Sequence, residues 1–192
     1  MASGAFIAVV GPSGAGKDTL IAHARAALGE EQRFLFARRM VTRPANAFED
    51  HDTIDEESFE AGHASGRFAL SWRAHGLGYA LPASIVETLA GGTHVICNLS
   101  RAVLPLARSR FGRVVVIEIT APPAVLAARL EGRGRESRAS IEERLAREAA
   151  KSFELRADLV IVNDHPVAET GGRLVAFLSA LATEDVSETA SP

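Results

Sequence analysis

Short apolar runs alternate with longer amphipathic stretches along this chain, the rhythm of a parallel sheet whose strands are joined by helices. Ala5–Val10 (AFIAVV) is apolar at every position, which predicts a strand buried on both faces. Phe34–Ala37, Thr93–Asn98, Arg113–Thr120 and Asp158–Val162 predict four more strands. Helical periodicity marks Lys17–Leu28, Pro82–Ala90, Arg101–Arg110, Pro122–Glu131, Ser140–Leu155 and Pro166–Leu181. Prolines 122, 123 and 166 stand where a missing N–H is harmless, at helix starts. Two segments break the rhythm. Arg39–Tyr79 reads as polar loops, with a DEESF stretch able to open a short helix and aromatic residues near its end. Gly132–Arg138 (GRGRESR) is a glycine- and arginine-rich break between helices. The last ten residues, TEDVSETASP, are polar and expected to fray. These signals predict one α/β domain over residues 1–182, interrupted at about 39–80, with a flexible tail at 183–192.

Composition narrows the classes. The chain has 192 residues, 47% of them hydrophobic and 23% charged, enough to bury a core without staples. Cys97 is the only cysteine, so an intramolecular disulfide and a cysteine-based zinc cluster are both excluded. A net charge of −3 gives no long-range attraction to nucleic acid or anionic membrane. No apolar run reaches the ~20 residues that a bilayer requires. Met-Ala-Ser-Gly at the start carries no basic region, and the expected location is the cytoplasm. Oligomeric state is not legible. Among the 21 basic residues, 19 are Arg and only Lys17 and Lys151 are Lys. A lysine retained in so arginine-rich a chain marks a place for a compact ammonium.

Lys17 closes such a place. Gly11-Pro12-Ser13-Gly14-Ala15-Gly16-Lys17 matches G-x-x-x-x-G-K, between the first strand and the first helix. Glycines let the backbone curl so that successive N–H groups face phosphate oxygens, and the helix adds its positive end. Chance supplies roughly 0.013 such matches in a chain of this composition. This is a nucleotide site. Asp18 follows the lysine where Ser or Thr usually offers a hydroxyl to magnesium; a carboxylate there can also ligate a hard cation. Thr19 points about 100° further around the helix.

Several segments resemble guanylate kinases in chain order. Gly11–Leu20 (GPSGAGKDTL) resembles their phosphate loop, and Arg39–Pro44 (RMVTRP) the stretch carrying acceptor-phosphate arginines. Phe68–Tyr79 (FALSWRAHGLGY) resembles a segment ending in a phosphate-binding tyrosine, Arg129–Arg135 (RLEGRGR) the lid over ATP, and Val162-Asn163-Asp164 the stretch near adenine. Leu70 occupies the position of the guanine-reading glutamate, and an apolar side chain cannot accept from guanine N–H groups. The third strand ends in Asn98 where guanylate kinases carry Asp. GPSGAGKD, FALSW…AHGL, Glu49-Asp50-His51 and Asn98-Leu-Ser-Arg101 are similar to a sister family, the ribose 1,5-bisphosphate phosphokinases.

That resemblance implies a P-loop NTPase three-layer α/β/α fold with a five-stranded parallel sheet. The interruption at 39–80 becomes an acceptor-binding insertion, and residues 129–138 an arginine-rich lid. It also implies ATP-dependent phosphorylation of ribose 1,5-bisphosphate to 5-phosphoribosyl diphosphate in phosphonate breakdown, with Mg2+. The other readings are a kinase for another phosphorylated acceptor, guanylate included, and a non-catalytic interaction module. Lys17, Arg129, Arg133 and Arg135 are the expected catalytic cations; Gly11 to Thr19 and Asn163 hold the nucleotide, with Asp18 on the metal side. Arg39, Arg43, His75, Tyr79 and Arg101 are expected at the acceptor, Arg101 as the extra arginine that a second phosphate demands. Arg144 and Arg147, three apart, can point into the cleft. His51 stands between acceptor contact and surface, while Trp72 and Cys97 are expected to be packing.

Overall fold

The computed structural model describes residues 3–44, 51–74, 76–132 and 156–189. Five parallel strands form the main sheet: β1 (Phe6–Val10), β2 (Phe34–Phe36), β7 (His94–Asn98), β8 (Val114–Thr120) and β9 (Leu159–Val162), in the order β2-β7-β1-β8-β9. All five β1 residues are buried, as expected of the central strand of a sheet covered on both faces. The expected helix Ser140–Leu155 and most of the expected lid lie outside the described residues.

Strand alternation sends Ile7, Val9, Ile96, Ile117 and Ile119 to one face. There they pack on helices α1 (Lys17–Leu28) and α6 (Val167–Thr189), through Leu20, Ala24, Leu174 and Leu178. Full burial of each such aliphatic side chain stabilises the fold by about 1.5–3 kcal/mol. Phe6, Ala8, Val10, Val95, Cys97 and Val116 face the opposite way, onto α3 (Ser84–Ala90) and α4 (Leu104–Arg110). A single 3-10 turn, Arg101–Val103, leads into α4, and α5 (Pro123–Glu131) follows β8.

The interruption is more ordered than its sequence suggests. It is a second sheet of β3 (Arg39–Val41), β4 (His51–Thr53), β5 (Phe68–Ala74) and β6 (Leu77–Pro82), in the order β4-β3-β6-β5. The DEESF stretch does open a helix, α2 (Glu56–Ala64), capped by Asp55, whose carboxylate accepts from Ser58 N at 2.7 Å. Arg73 on β5 ties to Glu56 and Glu60 of α2 and lies over the Phe59 ring. Ala69, Leu70, Trp72 and Leu81 join the core beneath the main sheet, so the insertion is seated on the domain.

α6 extends to Thr189, past the expected domain end at 182. Nothing in TEDVSET is a glycine or proline, so the backbone has no local reason to stop. No described helix is long and apolar enough to cross a membrane.

Candidate active site

The phosphate loop curls between β1 and α1 at the carboxyl edge of the sheet, where ligands of open α/β sheets gather. Gly16 sits at φ 86°, immediately before α1, a conformation that disfavours any side chain. Space excludes one as well: a Cβ at Gly16 would strike the Asn163 amide, and one at Gly11 the Ile119 carbonyl. Lys17 donates from Nζ to the carbonyls of Gly11 at 2.9 Å and Pro12 at 3.0 Å, which holds the ammonium over the loop.

Two outside groups shape the loop. Asn163, buried at the end of β9, donates from Nδ2 to the Ala15 carbonyl at 2.7 Å. Arg129 on α5 donates to the Gly14 carbonyl at 3.3 Å and to the Asn163 carbonyl at 3.1 Å. A trans peptide points its N–H opposite its C=O. Anchoring the Ala15 carbonyl outward therefore turns the Gly16 N–H toward the hollow of the loop. The Asn163 side chain is 4% exposed and spent on this contact.

Asp18, in the first turn of α1, accepts from Asn98 Nδ2 at 2.7 Å. Asn98 ends β7 and faces α1, because Val95 and Cys97 point the other way. Thr19 is exposed, and Ser13 stands at the loop's outer rim. Among the described residues no group of three or more His, Cys, Asp and Glu side chains could hold a metal alone. Cys97 is pushed up to about 12, chiefly by burial, so it stays a neutral thiol and a packing residue at neutral pH.

On the acceptor side, the Arg39 guanidinium lies over the Tyr79 ring at 5.7 Å, and Tyr79 stacks on Trp72 at 5.3 Å with planes 8° apart. This seats Arg39 on an aromatic floor. Arg43 is half-buried, its carbonyl facing His51 Nε2 at 3.3 Å. His51 is buried and is no surface residue. Leu70 is buried in the core, so it presents no guanine-reading group.

Arg101 differs most from expectation. Its Nη2 donates to the Glu118 carboxylate at 2.6 Å, and the two side chains are only 18% and 9% exposed. Val116 and Glu118 share a strand face, so the pair sits on the insertion's side of the sheet. An arginine paired this way brings little net charge to the cleft. His75, Arg133, Arg135, Arg144 and Arg147 lie outside the described residues.

The helix α1 also brings in a residue that sequence reasoning passed over. A cleft beside the loop is lined by Asp18, Ile21, Ala22, Arg25, Ala37, Arg39 and Asn98. Asp18, Ile21, Ala22 and Arg25 follow helical spacing, which was the available signal. Glu118 had no such signal: it is an acidic residue in an apolar strand.

A parallel sheet with a glycine-rich phosphate loop, a lysine at its lip and an arginine-lined cleft defines a P-loop kinase of the guanylate-kinase type. No protein-family model matches the chain. A guanylate kinase from Anaplasma phagocytophilum superposes with a TM-score of 0.66 over 93% of this chain and 86% of that one, at 21% identity, a likeness of fold. Similarity to curated proteins is far closer. The chain is 53% identical to ribose 1,5-bisphosphate phosphokinase PhnN of Methylobacterium radiotolerans over 177 residues, 92% of this chain and 98% of that protein. It is 46% identical to the same-named protein of Chelativorans sp., over 96% of this chain and 90% of that one. The chain belongs to the ribose 1,5-bisphosphate phosphokinase PhnN family.

Proposed function

We propose that this protein transfers the γ-phosphoryl group of ATP to the 1-phosphate of ribose 1,5-bisphosphate. The products are 5-phospho-α-D-ribose 1-diphosphate and ADP, formed in phosphonate catabolism in the cytoplasm. The observation that carries the reading is the coincidence of an intact phosphate loop and an arginine-lined cleft with a buried, apolar Leu70 at the position where the guanylate kinase pattern has its guanine-reading glutamate. Similarity over more than nine-tenths of the chain to proteins of that name, at 53% and 46% identity, supports it.

An acceptor phosphate is already anionic near neutral pH, so its oxygen attacks the γ-phosphorus without a general base. One P–O bond forms as the bond to the β-bridging oxygen breaks, and ADP leaves with that electron pair. What the protein must do is position two anions and offset their charge. The N–H groups of Gly14 and Gly16 and of the start of α1 hold the β-phosphate, and Lys17 reaches the β and γ oxygens. Arg129 neutralises the transferring group, with Arg133 and Arg135 following it in the lid. Arg39, Arg43, Tyr79 and His75 hold the acceptor, with Arg101 beside them, its guanidinium fixed by Glu118. Asn163 acts on the loop and not on the base.

The metal side fits magnesium. Asn98 pins one oxygen of Asp18 at 2.7 Å, leaving a single oriented carboxylate beside the loop. One carboxylate, phosphate oxygens and waters make the oxygen-rich set that magnesium prefers. Magnesium held beside Asp18 would supply neutralisation of phosphate charge.

Incubating the purified protein with ATP, magnesium and ribose 1,5-bisphosphate tests the proposal by phosphorus NMR. A new pair of coupled diphosphate resonances on the sugar is expected. ATP hydrolysis with an unchanged sugar spectrum rejects the assignment.

A further inference from the structure

We infer that Trp72 is a positioning residue for the acceptor: acting through the Tyr79 ring, it holds Arg39 at the cleft in the arrangement that meets the acceptor phosphate. The inference rests on the acceptor reading proposed above and gives a residue expected only to pack a part in substrate binding.

Arg39, Tyr79 and Trp72 come from three neighbouring strands of the second sheet, β3, β6 and β5. Trp72 pairs directly across from Tyr79, and Tyr79 directly across from Val41. Opposed residues of an antiparallel pair share a face, and strand alternation puts Arg39 on the face of Val41. The register therefore sets one side chain from each strand in a row on one face. Contacts follow the row. The Trp72 and Tyr79 rings lie 5.3 Å apart with planes 8° apart, and the Arg39 guanidinium lies 5.7 Å from the Tyr79 centroid.

The two ends of the row have different surroundings. Trp72 is buried in the core that joins Leu70 and Leu81 to the main sheet. Arg39 lines the cleft beside the phosphate loop, together with Asp18 and Asn98. Tyr79 is half-buried between them. Among the described residues, the Tyr79 ring is what holds the Arg39 guanidinium, with no carboxylate to fix it as Glu118 fixes Arg101. A long side chain ordered before binding loses less freedom when its anion arrives. Tyr79 can order Arg39 only if its own plane is fixed, and the flat indole beneath it fixes that plane. Packing alone asks for an apolar side chain of this volume; support of a ring face asks for another ring.

Trp72→Leu keeps an apolar side chain and removes the flat surface, whereas Trp72→Phe restores one ring. Steady-state kinetics with ATP and ribose 1,5-bisphosphate are read beside the thermal midpoint. Trp72→Leu is expected to raise the ribose 1,5-bisphosphate KM roughly 5–15-fold, with kcat and the ATP KM within about twofold, and Trp72→Phe to recover most of the loss. The wild-type protein carries a second readout, because Trp72 is its only tryptophan. Ribose 1,5-bisphosphate added without ATP should change the indole emission saturably, and Arg39→Met should abolish that change. An unchanged acceptor KM in folded Trp72→Leu overturns the inference. So does a parallel rise of the acceptor and ATP KM, the mark of a general packing defect. If Trp72→Leu does not fold, the wild-type titration decides: flat emission at concentrations that saturate turnover overturns the inference. Wild-type protein that neither phosphorylates ribose 1,5-bisphosphate nor changes its emission with it refutes the acceptor reading and this inference together, a failure seen before any variant is made.

Discussion

Replacing Arg101 with alanine is expected to cost stability more than acceptor affinity. The Glu118 carboxylate is 9% exposed and accepts from Arg101 at 2.6 Å on the face of the sheet that packs on the insertion. Removing only the cation leaves a carboxylate in a poorly hydrated place, and breaking a buried pair this way costs about 3–5 kcal/mol. For a chain of 192 residues, one kcal/mol moves the thermal midpoint by about 2–4 °C, so Arg101→Ala should melt roughly 10 °C lower. Removing both charges is gentler, since an apolar side chain beside a neutral amide strands no charge. Arg101→Met combined with Glu118→Gln should recover at least about 2 kcal/mol of the loss. Urea unfolding at pH 7, followed by circular dichroism, measures all three differences. An Arg101→Ala variant within 1 kcal/mol of wild type refutes the reasoning, as does a double variant no more stable than the single one.

Asp18→Asn keeps the shape of the side chain and its contact distance to Asn98 but removes the negative charge. Half-maximal activity should then need roughly tenfold more magnesium with little change in melting temperature; an unchanged magnesium titration removes Asp18 from the metal's surroundings. Asn163→Ala leaves the Ala15 carbonyl without its 2.7 Å donor, worth about 1–3 kcal/mol in a buried setting. Calorimetry should show affinity for ATP and for inorganic tripolyphosphate falling by similar factors, because the loop holds phosphates; weakening of ATP alone means that Asn163 contacts the base.

The parts of the molecule with a strong local signal were legible. β1 is apolar throughout and the loop glycines precede a lysine, so strand, loop and helix could be read within one residue of their ends. The second sheet was not. β3 and β4 are three residues each, RMV and HDT, too short and too polar to show a period. β5 carries alternation in Phe68, Leu70 and Trp72, and Gly76 at φ 75° marks its hairpin with β6, a signal available but unused. Pairings across the sheet had no linear trace. Asp18 and Asn98 are 80 positions apart, and the Glu118 that claims Arg101 lies on β8, 17 positions along the chain. An arginine chosen from sequence for its place at a strand tip could not reveal that a buried carboxylate already held it. Asn163 is expected near adenine, and its amide donates to the Ala15 carbonyl of the loop. That distinction depends on side-chain direction, which sequence spacing does not carry.

Acceptor selection tests the central claim most directly. With ATP and magnesium fixed, kcat/KM is measured for ribose 1,5-bisphosphate, ribose 5-phosphate, AMP and GMP. Leu70 is 3% exposed and gives guanine no partner, while a site that takes two phosphates, as proposed, would leave charged groups uncompensated when offered one. Sites that bury polar groups against a missing partner discriminate by roughly 1,000-fold or more. Ribose 1,5-bisphosphate should therefore lead the other three acceptors by about that margin. GMP turned over as well as or better than the bisphosphate would contradict the account and make the protein a guanylate kinase in activity as well as in fold.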